Sequence, residues 1–119
     1  MRWRDLLRHS LVWLRFIRQP DLLGQCVPLH PTPADLRPGE FYLVGTPARW
    51  QWVCLCCPDA CGALLQLSLN PRGRPCWTAA LDWLGRPTVH PSIHQLDGCR
   101  SHFWIHRGRV VWCPEPVGP

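Results

Sequence analysis

The chain of 119 residues contains no lysine; all thirteen of its basic residues are arginine. It also lacks any apolar run of about eighteen residues, which removes the reading of a membrane-spanning helix. No secretory signal is legible. The opening MRWRDLLRHSLVWLRFIRQP is apolar and basic, but Arg8 and Arg15 interrupt it and no small-residue cleavage site follows. Catalytic signatures are scarce as well: there is no HExxH, no H-x-E with a CxxC partner and no glycine-rich phosphate loop. No internal repeat and no interdomain linker are found. These absences predict a soluble, cytoplasmic protein of one domain, in which cysteines bind metal or do redox chemistry more often than they pair as disulfides.

What is present narrows the class further. Fourteen prolines and nine glycines break the chain often, favouring short strands and turns over long helices. Eight tryptophans supply bulky apolar area for a β-rich body, and a chain this short gains from a metal or disulfide support. Residues 1–20 carry five arginines against one aspartate, a net +4, whereas the other ninety-nine residues carry eight arginines against seven acids, a net +1. The basic character therefore belongs to the N-terminal segment, which disfavours a nucleic-acid-binding body. The simplest cause of the all-arginine usage is a GC-rich genome.

Residues 3–18 read as an amphipathic basic helix. Trp3, Leu6, Leu7, Leu11, Trp13, Leu14 and Ile17 share one broad face, Arg4, Arg8 and Arg15 cluster opposite, and Pro20 closes the segment. The simplest expectation is that the apolar stripe packs on the body; docking to a partner protein and peripheral contact with an anionic membrane are the alternatives. The predicted organisation is residues 1–20 as helix, 21–40 as a Pro-rich connecting loop, 41–114 as a zinc-binding β domain and 115–119 as a tail. Strands are expected at Phe41–Gly45, Arg49–Leu55, Ala63–Leu69, Cys76–Leu81, His102–Ile105 and Arg109–Trp112, the last two joined by a hairpin centred on Gly108. The fold class predicted is mainly β: a small antiparallel zinc-stabilised β domain with an N-terminal amphipathic helix.

The sharpest local signal is Cys57-Pro-Asp-Ala-Cys61-Gly62, a turn that can aim two thiolates at one point and supply half of a tetrahedral zinc site. Cys99-Arg-Ser-His102 offers a second short pair, and Cys113 a further thiolate at the end of the last hairpin. Spacing alone leaves His102 and Cys113 both open as the fourth ligand. Four protein ligands would make the Zn²⁺ structural. Cys54, Cys56, Cys26 and Cys76 read as packing residues, with Cys54 and Cys56 on one strand face and Cys57 on the other. His90 and His94 flank Pro91-Ser-Ile93, where Pro91 suggests a solvated loop. Trp52, Trp104 and Trp112 beside Arg100, Arg107 and Arg109 would be the elements of a nucleic-acid interface. A cysteine- or zinc-dependent enzyme is the remaining rival, with His102 as the base for Cys99 or Cys113.

In order along the chain, the Cys57–Gly62 turn, Trp77, Arg86-Pro-Thr-Val-His-Pro-Ser-Ile93, Gly98-Cys-Arg-Ser-His-Phe-Trp-Ile105 and Trp112-Cys113 resemble an uncharacterised bacterial family, domain of unknown function 6527 (DUF6527). Arg37–Gly45 resembles that family's opening strand, so the likeness spans about residues 36–113. It departs at Asp59, where many members carry a further cysteine, which leaves Cys57 and Cys61 as the matching pair. Members are often encoded beside bacterial ubiquitin-like proteins and their E1-like and E2-like enzymes. The resemblance thus implies an accessory or adaptor role in ubiquitin-like conjugation, with an E1-like or E2-like enzyme or a ubiquitin-like protein as partner. A lysine-free chain suits that setting, because it offers no side-chain amine to an isopeptide-linked modifier.

Overall fold

The computed structural model describes residues 2–17, 19–58, 63–94 and 101–113. One helix, α1 (Trp3–Trp13), precedes eight strands: β1 (Leu23–Val27), β2 (Glu40–Thr46), β3 (Arg49–Cys56), β4 (Leu64–Ser68), β5 (Thr78–Leu81), β6 (Pro87–His94), β7 (His102–His106) and β8 (Arg109–Trp112). They form two four-stranded sheets, in the orders β1-β2-β3-β4 and β5-β6-β7-β8. The mainly β expectation holds, with two differences. The segment 21–40, expected as connecting loop, contributes β1 and a short 3-10 turn at Pro33–Asp35. And β1 runs parallel to β2, Leu23 opposite Glu40 through Val27 opposite Val44, so the first sheet is mixed.

The two sheets share a core. Phe41, Leu43, Val53, Leu55 and Leu67 of the first sheet meet Val89, Ile93, Phe103 and Ile105 of the second, with Leu22 between them. Phe41, Val53, Leu55, Val89 and Phe103 are fully shielded from solvent. Each such side chain stabilises the fold by about 1.5–3 kcal/mol relative to an exposed position, before conformational entropy is subtracted. The residues between them point the other way. Tyr42, Val44 and Cys54 form a smaller cluster on the first sheet's opposite face, covered by Val27, Leu36 and Trp52. Both faces of β2 are thus buried, from Phe41 to Val44.

The β7–β8 hairpin forms as expected. His106 pairs with Arg109 around a two-residue turn in which Arg107 and Gly108 both have positive φ, 49° and 77°. That geometry matches the right-handed strand twist. Glycine is required at 108, since a Cβ there would come within 2.8 Å of the Leu22 carbonyl oxygen.

The helix departs from expectation in its end and its facing. It stops at Trp13, not at Pro20: Arg15 turns left-handed at φ 65°, its N–H bonds to the Val12 carbonyl, and that of Phe16 to the Leu11 carbonyl. This is the Schellman arrangement, which satisfies the last carbonyls of the helix. More unexpectedly, Arg8 is buried, while Trp3, Leu6 and Trp13 are 69%, 55% and 82% exposed. The apolar stripe does not pack on the body. Arg8 Nη1 donates to Asp5 at 2.9 Å and to the Leu84 carbonyl at 3.0 Å, and this polar anchor sets the rotation of the helix. No helix among the described residues is long and apolar enough to cross a membrane.

Candidate functional site

The outer face of the second sheet brings a serine and two histidines together. Ile93 and Phe103 point into the core, so their neighbours Ser92, His94 and His102 project from the other side. His94 and His102 are register partners across β6 and β7, and their rings stack at a centroid distance of 4.5 Å with planes 16° apart. Ser92 Oγ lies 2.9 Å from His102 Nε2. With the ring proton on Nδ1, the serine hydroxyl donates to Nε2, the arrangement in which an imidazole can accept that proton.

A local irregularity brings Ser92 there. Val89 faces Ile105 and Ile93 faces Phe103, so His90, Pro91 and Ser92 on β6 oppose Trp104 alone on β7. A bulge of this kind re-aims side chains and is common beside active sites. It also explains how Pro91 is accommodated: proline has no N–H for a ladder and is tolerated within a sheet at a bulge. The loop expected around Pro91 is therefore corrected to the strand β6, although His90 and His94 are solvent-exposed as anticipated. The Trp77 indole N–H donates to the Ser92 carbonyl at 3.4 Å and tethers the bulge from the start of the second sheet. His90 meets Trp104 edge-on, with ring centroids 6.4 Å apart.

Sequence reasoning did not pair Ser92 with His102. The serine carries no sequence motif for a nucleophile, and its register against His102 depends on the extra residues of the bulge. A signal was nonetheless there, in a serine set between histidines at 90–94 together with the Ser-His pair at 101–102.

Of the five residues proposed as metal ligands, Cys61 and Cys99 lie outside the described residues. Cys57 is buried, and its Sγ lies 3.7 Å from Ser101 Oγ, so the first thiol of one pair abuts the segment that carries the other. Cys113 is half-buried and its backbone N–H bonds to the His102 carbonyl at 2.8 Å. The His102 ring itself is engaged with Ser92 and His94. Among the described residues, no three His, Cys, Asp or Glu side chains group as a metal would require.

The other cysteines separate by environment. Cys54 is buried beside His30, Sγ to Nδ1 3.5 Å, and burial pushes its thiol pKa up. Burial, with the Glu40 charge, does the same for Cys56. Both are thus held as neutral thiols, in keeping with packing roles. Cys26, also expected to pack, is exposed on β1. The tryptophans considered for nucleic-acid stacking are not brought together. Trp52 belongs to the first sheet, and Trp112 packs edge-on against Phe103, on the face opposite Trp104.

No curated protein and no solved structure matches this chain. A family model does, over residues 29–113, and its description is bacterial ubiquitination-like system serine protease (BubE). The match supports the link to ubiquitin-like conjugation drawn from the sequence, without the family number 6527, and it names a hydrolytic activity where an adaptor role was expected. It spans β2 to β8 and includes both Ser92 and His102. The chain belongs to the family of bacterial ubiquitination-like system serine proteases.

Proposed function

We propose that this chain is a serine protease acting on a protein of a bacterial ubiquitin-like pathway, with Ser92 as nucleophile and His102 as general base. The observation that carries this reading is the 2.9 Å contact between Ser92 Oγ and His102 Nε2 on a partly exposed face. Ser101, the neighbouring alternative, is only 7% exposed and lies against the Cys57 thiol.

The chemistry follows from the pair. His102 Nε2 takes the hydroxyl proton as Ser92 Oγ attacks the carbonyl carbon of the scissile bond. The tetrahedral adduct collapses to an acyl-serine, and His102 returns the proton to the departing amine. Water, activated by the same imidazole, then releases the acyl group and restores the hydroxyl. His94 is a positioning residue in this scheme, since its stacked ring restricts the rotation of His102. Trp77 holds the backbone of the nucleophile through the Ser92 carbonyl.

Interaction with pathway proteins, expected from the sequence, becomes binding of the protein whose bond is cut. The test is cleavage of the pathway's ubiquitin-like protein carrying a C-terminal reporter. Ser92→Ala and His102→Ala should each lower turnover on the order of 10³-fold or more while the chain stays folded. Undiminished cleavage by Ser92→Ala would overturn the assignment.

The structural zinc remains part of the proposal. Cys57, Cys61 and Cys99 would hold it, with Cys113 as the fourth ligand, because the His102 ring serves Ser92. The burial of Cys57 against Ser101 supports this, since it joins the two cysteine segments across the sheets. The metal would pin the segments flanking β7 and so fix the position of His102. Cys57→Ser or Cys99→Ser should yield insoluble or unfolded protein, and metal analysis of the parent should find one zinc per chain. Normal folding and unchanged metal content in both variants would refute the ligand set.

A further inference from the structure

The face that presents Ser92 and His102 also presents an apolar patch that the core does not use. Phe103 and Ile105 of β7 are buried, so Trp104 between them projects from the outer face, where it is 40% exposed. Its register partner on β8 is Val111, also 40% exposed, and directly opposed residues share a face. Trp112, next to Val111, turns the other way and packs on Phe103. Trp104 and Val111 therefore lie together, open to solvent, on the side of the sheet that carries Ser92. Single apolar side chains scattered over a surface are ordinary. An aromatic and an aliphatic one joined beside convergent polar groups are how ligand sites are lined.

The bulge of β6 fixes where this patch stands. His90, Pro91 and Ser92 oppose Trp104 alone, while His94 pairs with His102. Along β7, His102 and Trp104 are successive outward positions, about 7 Å apart at the usual strand rise. Ser92 stands on the Trp104 side of the Ile93–Phe103 pair, and its hydroxyl reaches back to His102 Nε2 at 2.9 Å. The reactive oxygen thus has the imidazole on one side and the indole on the other. His90 meets the indole edge-on, with ring centroids 6.4 Å apart, and restricts its rotation.

Hydrolysis gives those two sides different parts of the substrate. The leaving amine must lie over His102, which returns the proton to it. The acyl portion is then directed away from the imidazole, toward Trp104. We propose that Trp104, with Val111, determines specificity by receiving an apolar side chain on the substrate residue whose carbonyl is attacked. Such a contact removes apolar area from water on both partners, whereas a polar side chain of the same size loses hydration there and gains no hydrogen bond. The inference rests on the Ser92–His102 reading and adds to it which residue the site prefers on the acyl side.

The experiment is hydrolysis of N-acetyl amino-acid p-nitrophenyl esters by the full chain, with fluorophosphonate labelling of Ser92 followed on the same samples. The leucine ester should show a kcat/KM roughly tenfold or more above the glycine ester and the asparagine ester, whose side chain matches leucine in size. Trp104→Ala should bring the leucine ester down to the level of the other two. Hydrolysis of the glycine ester and labelling of Ser92 should stay as in the parent, which separates a lost contact from lost chemistry. If Trp104→Ala fails to fold, Val111→Glu on the edge strand should depress the leucine ester likewise. A labelled Ser92 with no preference among the esters, with no turnover of any, or with a preference that survives substitution would overturn the role of Trp104. Absence of labelling at Ser92 would instead remove the hydrolytic reading, and this inference with it.

Discussion

The two sheets are built from the same number of strands, yet they use their second faces differently. The first, β1-β2-β3-β4, is covered on both faces along β2: one lies on the shared core, the other, at Tyr42 and Val44, under Val27, Leu36 and Trp52. The second shares the core on one face and turns Ser92, His94 and His102 outward on the other. At residues 41–44 and 53–55 of the first sheet every side chain is a packing problem, and burial pushes up the thiols of Cys54 and Cys56. In the second, packing is confined to alternate residues and the rest are available to meet a substrate. The bulge at residues 90–92 sets Ser92 beside His102 by changing register, not by adding a loop.

Substitutions should divide along the same line. The largest effect is expected on the outer face of the second sheet, where Ser92→Ala should remove on the order of 10³-fold or more of turnover at little cost in stability. A comparable loss of folding would place Ser92 with the packing residues and break the contrast. Next comes Phe41→Ala in the first sheet, expected to destabilise by about 3–5 kcal/mol in denaturant titration with little direct effect on the chemistry of folded molecules. A smaller split is expected within α1. Arg8→Ala should cost about 1–3 kcal/mol by orphaning the Leu84 carbonyl and Asp5, whereas Trp13→Ala, on the exposed side, should stay within about 0.5 kcal/mol. The reverse order would mean that the helix docks by its apolar stripe after all.

The smallest effect is a titration in the first sheet. The hydrogen bond that Tyr42 donates to Glu40, then burial, then the Glu40 charge push its pKa up to about 12. Folding therefore favours the neutral phenol, and the associated stability is complete below pH 10 and lost as pH rises toward about 12. Tyr42 is the chain's only tyrosine, so phenolate absorbance reports it directly; Glu40→Gln should move the midpoint down.

Much of the fold was legible because it rests on local chemistry. Short apolar runs at 41–45 and 49–55, set off by Gly45 and Pro47, marked β2 and β3, and Gly108 marked the last hairpin. β1 was hidden among prolines, and its parallel pairing with β2 is a long-range choice that no local pattern records. The helix was legible as a helix, but its rotation was not, because one buried arginine overrides a broad apolar stripe. The candidate site was half legible. His102 stood out through the motif around it, as a prospective zinc ligand and not as the partner of Ser92. Ser92 did not stand out, since its place opposite His102 depends on a bulge between distant strands.

The pairing of Ser92 with His102 is tested most directly by labelling the chain with a fluorophosphonate and mapping the adduct by mass spectrometry. One adduct is expected, on Ser92, and it should be lost in His102→Ala while that variant remains folded. An adduct on Ser101, or on no serine of the active wild-type chain, would contradict the assignment of Ser92 as the nucleophile.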